Sequence, residues 1–128
     1  MRRFITLLLI LFLALPLRAS EEAIKEAADL YFNFKQQEAL EKFIELSKET
    51  GERDAFLNAV YIALELGQTR LAVDTVSMAL KKFPLDTEVL EFAGEAYLAA
   101  GYYLNAENVF ARLNENNNKT AFYYISLA

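Results

Sequence analysis

Glu91 and Glu95 stand four residues apart in the stretch LEFAGEAYLAA, a spacing that puts two carboxylates on one helix face. Paired carboxylates can divide general-acid and general-base roles, or begin a divalent-cation site. The rest of either chemistry is missing. The chain has no His and no Cys. It therefore lacks the usual proton carrier at neutral pH, a thiol nucleophile and thiolate metal ligands. There is no Gly-rich phosphate loop, and two carboxylates supply fewer oxygens than a cation site normally uses. The pair reads as a solvated helix face. No catalytic residue, no metal site and no cofactor is expected. Glu38 and Lys42, also four apart, are expected to form a surface pair worth about 0.3 kcal/mol. Lys81 and Lys82 fit a helix end better than a nucleic-acid patch.

Composition points the same way. The chain has 128 residues, the size of one domain or a short repeat array. Hydrophobic residues make up 55%, enough for a core. Eighteen acidic residues outnumber thirteen basic ones. Three of the basic residues, Arg2, Arg3 and Arg18, lie in the first nineteen positions, so the body is more acidic still. An acidic body repels phosphate backbones, and no nucleic-acid partner is expected.

Residues 1–19, MRRFITLLLILFLALPLRA, have the three parts of a signal peptide. Arg2 and Arg3 form the positive end, Phe4 to Leu15 the apolar run, and Pro16 ends the helix. Leu17 and Ala19 fall at the −3 and −1 positions of a cleavage site. Phe4 to Leu17 is shorter than the roughly 20 apolar residues that span a bilayer. Export is expected, to the bacterial periplasm or outside the cell, with membrane contact only transient. Retention of the segment as an anchor is the alternative. No Cys is available to carry a lipid.

The body, 20–128, repeats itself. Gly67 and Gly101 are 34 residues apart, and in that register Ala59 meets Ala93, Ala72 meets Ala106, and Val76 meets Phe110. Stepping back 33 from Ala72 reaches Ala39, with Phe43 four further on. The units are 20–52, 53–86 and 87–120, with a partial fourth at 121–128. Each reads as two helices. Asp86 caps Thr87–Ala100, with Glu88 in the first turn and Gly101 as the stop. A second helix runs from Tyr103 to Leu113. Thr69 is expected to cap Arg70–Phe83, which Pro84 terminates, and Ser20 to cap the first helix. No stretch alternates with a period of two, so no sheet is expected.

A 34-residue helix–turn–helix with small and large residues at fixed offsets resembles the tetratricopeptide repeat. Leu90, Ala93, Gly94, Tyr97, Gly101, Ala106 and Phe110 carry the resemblance in the third unit. Phe56, Ala59, Ala63, Gly67, Ala72, Val76, Ala79 and Pro84 carry it in the second, and Ala27, Leu30, Ala39, Phe43 and Leu46 in the first. Val60 departs from the pattern where a small residue belongs. Leu46 and Leu113 replace a later Ala, and Asn118 a Pro. The resemblance implies an all-α fold: an α-solenoid of about three antiparallel helix pairs in a right-handed superhelix. Such pairs bury their apolar faces only by stacking. After the turn signal Asn116-Asn117-Asn118, residues 121–128 begin another apolar helix. It is either a capping helix or the truncated start of a further repeat in a longer protein.

The resemblance also implies where a partner would bind. In this family, peptides lie on the concave surface lined by the first helix of each unit. Here that surface holds Ile24, Ala28, Tyr31 and Phe32, then Leu57, Asn58, Tyr61, Leu64 and Glu65, then Glu88, Glu91, Phe92, Glu95 and Leu98. One end is aromatic and apolar, the other acidic, which favours an apolar or basic protein or peptide partner. Alternatively, Tyr31, Phe32 and Tyr61 simply pack between helices. A subfamily clamps a terminal carboxylate with Lys and Asn on this surface. Ile24, Ala28, Leu57 and Tyr61 stand in those places, so no such clamp is expected. The expectation is a non-enzymatic scaffold of the cell envelope. The alternative is the N-terminal piece of a longer repeat protein whose terminal helix serves self-association.

Overall fold

The computed structural model describes residues 20–116. Residues 1–19, expected to be a signal peptide, Asn117-Asn118 and the apolar stretch 121–128 lie outside the described residues. Within them the chain is helical throughout, without a strand. Helix α1 covers 20–32, α2 Gln36–Thr50, α3 Arg53–Glu65, α4 Thr69–Lys82, α5 Thr87–Ala100 and α6 Tyr103–Asn116. From α2 onward each helix packs on the next, and α3 also touches α5 across the intervening hairpin. Ala27 of α1 joins the same core. This is a solenoid of three helix pairs.

The turn within each pair has the same hydrogen bonds. Phe34, Gly67 and Gly101 donate their amides to the carbonyls of Tyr31, Leu64 and Leu98, each at 3.1 Å. The next residues, Lys35, Gln68 and Tyr102, reach back to Leu30, Ala63 and Tyr97 at 2.9, 2.8 and 2.8 Å. This double closure satisfies the carbonyls that a helix end leaves orphaned, and it needs one left-handed residue. Gly67 and Gly101 take that conformation, at φ 72° and 80°. In the first unit the position falls to Phe34, at φ 62°. A side chain there costs about 1 kcal/mol that glycine avoids.

At the helix starts, the Asp86 carboxylate accepts from the Val89 amide at 3.1 Å, as an N-cap should. Thr69 does not fill the capping role expected of it. It is the first residue of α4, and Gln68 stands at the N-cap position without a side-chain cap bond. The two ends of α4 differ by one residue from the expected Arg70–Phe83. Helix α6 runs past Leu113 to Asn116, so the turn does not begin at the first Asn.

Ala39, Ala72 and Ala106 are buried, and so are Phe43, Val76 and Phe110 one turn later. On the first helices, Ala27, Val60 and Gly94 stand in register with one another in the same core region. All three are buried. At Gly94 the Phe110 ring fills the space that a Cβ would take. Further side-chain ties join neighbouring helix pairs, Glu52 and Asp86 being the N-cap positions of α3 and α5. Ser20 donates to Glu52 at 2.8 Å, Gln68 to Gln37 at 2.6 Å, Lys82 to the Gly51 carbonyl at 2.7 Å, and Arg53 to Asp86 at 2.6 Å.

Candidate binding groove

The first helices of the three units, α1, α3 and α5, carry the residues expected on the concave surface. At the α1–α3 end five of them come together. Ala28, Tyr31, Phe32, Asn58 and Tyr61, with Phe43 and Ile62, line a cavity of about 390 Å³. Core packing does not account for Phe32, 74% exposed, or Tyr61, 47% exposed, whereas Tyr31 is half-buried against the main core. The rings meet edge to face. Tyr31 lies 5.5 Å from Phe32 at 81°, and 6.4 Å from Tyr61 at 63°. Such contacts hold rings in fixed relative orientation.

Glu65, one helical turn beyond Tyr61, fixes Tyr31 further. The Tyr31 hydroxyl donates to its carboxylate at 2.7 Å. That bond to the neutral phenol, reinforced by loss of hydration and by Tyr61, pushes the Tyr31 pKa well above the ordinary tyrosine value. Asn58 turns its amide back to the Asp54 carbonyl at 2.7 Å, which leaves its carbonyl oxygen for other uses.

The remaining expected residues do not form one continuous surface. Leu57 is buried at 6% exposure, packed with Phe56, Ala79 and Val89 rather than lining the groove. Its position on α3 faces the next hairpin, and burial of a leucine there stabilises the stack. Leu64 is half-buried against the main core, and Phe92 lies between the two core clusters. Glu88 is exposed but bound within the chain, to Arg53 at 3.1 Å. Glu91 is half-buried. Glu95 faces solvent, yet loss of hydration around its carboxyl raises its pKa above the usual glutamate value. No group of three or more acidic residues is placed to hold a metal ion among the described residues.

Two features were not anticipated from the sequence. Arg53 forks between Asp86 and Glu88 and also reaches Asp54 at 3.1 Å, tying the start of α3 to the start of α5. Burial pushes the Asp86 carboxyl up, but the Arg53 guanidinium and the Val89 amide outweigh it and hold the pKa below its ordinary value. Opposite charges about one repeat apart, Arg53 and Asp86, were the available signal. The second feature is a larger groove of about 730 Å³ between α5 and α6, lined by Leu98, Tyr103, Ala106, Glu107, Phe110, Ala111 and Asn114. Only Leu98 had been placed on a binding surface, and it belongs to this groove.

No described helix is long and apolar enough to cross a membrane. Searched against models of protein families, the sequence matches none, and a search of curated proteins finds no match.

Proposed function

We propose that this chain is a non-enzymatic docking scaffold of the cell envelope, exported by its first nineteen residues, that binds a partner polypeptide along α1 and α3. The observation that carries the reading is the aromatic cavity. Phe32 and Tyr61 keep large apolar surface in solvent beside a preformed hollow, although folding would be served better by burying it. Aromatic side chains held in fixed orientation are common anchors for a partner. The resemblance of the repeat to the tetratricopeptide pattern supports the same assignment. The signal-like segment supports export.

The test is site-specific photocrosslinking in native cells, with the crosslinker at the exposed Phe32 position. A discrete adduct is expected, and Tyr61→Ala together with Tyr31→Ala should reduce it by about ten-fold or more. An adduct that persists undiminished in a variant whose circular dichroism is unchanged would show that the aromatic cavity is not the docking site. N-terminal sequencing of the envelope-localised protein should begin at Ser20.

The groove between α5 and α6 favours a second reading, assembly of copies or further repeats on this face. Tyr103, which lines it, is 69% exposed. Light scattering over a concentration series distinguishes the two. Concentration-dependent growth in mass that Tyr103→Glu abolishes would support assembly.

A further inference from the structure

We infer that the hollow between α1 and α3 receives one cationic side chain of the bound polypeptide, a guanidinium in preference to an ammonium, with Glu65 as its counter-ion; this rests on the docking function proposed above. The walls are aromatic and steeply inclined to one another, Tyr31 to Phe32 at 81° and Tyr31 to Tyr61 at 63°. A cation entering between inclined rings meets the electron-rich face of one of them, and a planar guanidinium also stacks there. The floor is apolar, from Ala28, Phe43 and Ile62. It suits the methylene stem that an arginine lays along hydrophobic surface while its head stays near water. A volume of about 390 Å³ accommodates that stem and head together.

Charge decides between this occupant and a purely apolar one. Glu65 lies 2.7 Å from the Tyr31 hydroxyl, at the edge of the hollow. It accepts that phenolic proton and keeps lone pairs for a second donor. The phenol therefore orients the carboxylate without neutralising it. An apolar side chain would cover the rings but leave Glu65 facing an uncharged partner. The chain as a whole carries a net charge of −5, which draws a basic segment toward it. The same chemistry occurs within the fold, where the Lys82 ammonium sits 5.7 Å from the centre of the Phe83 ring.

The test uses the full chain, with Tyr and Phe rings isotopically labelled, and three capped pentapeptides: Ala-Ala-Arg-Ala-Ala and its citrulline and norleucine counterparts. Citrulline keeps the shape of arginine and removes the charge. The arginine peptide should shift the Tyr31, Phe32 and Tyr61 ring signals saturably, about ten-fold more tightly than either neutral peptide. Glu65→Gln should weaken it about three-fold. Tyr61→Leu should remove most of the response, and Phe32→Leu, at a still more exposed position, provides a second variant that leaves the core alone. Equal binding of the citrulline or norleucine peptide would overturn the cationic assignment while leaving the groove intact as a docking site. Arginine-induced shifts that ignore both Tyr61→Leu and Phe32→Leu would also overturn it. Absence of any ring shift, together with undiminished crosslinking in the aromatic variants, would remove the docking site as well.

Discussion

In the third unit, Gly94 on α5 leaves room that the Phe110 ring from α6 fills. In the second unit the equivalent positions on α3 and α4 hold Val60 and Val76, both fully buried. The first unit follows the third, with Ala27 and Phe43 in register, also buried. What recurs from unit to unit is the filled slot rather than either residue. A small first-helix residue goes with an aromatic, and a medium one with a medium one. Interiors packed to crystal-like density respond to the sum of facing volumes, so the two positions have to be read as a pair.

The largest effect is expected where that pairing is broken by excess volume. Gly94→Val alone drives a branched side chain into the Phe110 ring and should destabilise the fold by about 3 kcal/mol. Combining it with Phe110→Val copies the second unit and should recover more than half of the loss, measured by urea denaturation as a double-mutant cycle. If the double variant is as unstable as the two single changes added together, the equivalence of the units is lost. Next in size is the reverse exchange. Val60→Ala should cost about 2 kcal/mol by opening a cavity. Adding Val76→Phe reproduces the Ala27–Phe43 arrangement and should return part of it.

The joints between neighbouring helix pairs extend the comparison at smaller energies. Ser20 meets Glu52 through one neutral donor, whereas Arg53 meets Asp86 through a charged one. Glu52 stands at the N-cap position of α3 without a side-chain cap bond, whereas the shorter Asp86 caps α5 and holds Arg53 at once. Asp86→Ala should therefore cost about 1 to 2 kcal/mol, and Ser20→Ala less than about 1 kcal/mol, both by thermal or urea denaturation. Acid should separate the joints too. Because the folded-state pKa of Asp86 is depressed, its contribution is fully present above the ordinary Asp value and disappears as pH falls through the folded one. Asp86→Asn keeps a capping side chain and should flatten the loss of stability below about pH 4.

The repeat itself was legible because Gly67 and Gly101 must occupy a conformation that few residues tolerate, and such positions keep their spacing. Asp86 and Thr87–Ala100 were legible for a similar reason: a cap, an amphipathic run and a left-handed stop agree with one another. Val60 looked like a departure from the pattern because a single position was compared, while the second-helix residue in the corresponding register, Val76, lies sixteen positions on and is buried in the same core. Leu57 was misplaced on the groove for a related reason. Register assigns a residue to a helix face, but α3 packs on α4 and α5 together, and that wider burial takes in Leu57. Register placed Tyr31, Phe32 and Tyr61 on neighbouring first helices, where they line one cavity, while the Tyr31–Glu65 bond is a side-chain contact between units that no local pattern encodes. Phe34 could not be recognised as the turn residue of the first unit, since phenylalanine is a poor choice there.

The side-chain ties described between neighbouring helix pairs span 31 to 34 positions each. A chain joined mainly to its near neighbours closes only short loops as it acquires order, and such topologies reach the native state quickly. In such a stack, order can nucleate at one place and spread from hairpin to hairpin. Damage should travel in the same one-dimensional way, fading from one hairpin to the next, so hydrogen exchange after Gly94→Val should rise first in α5 and α6 and last in α1.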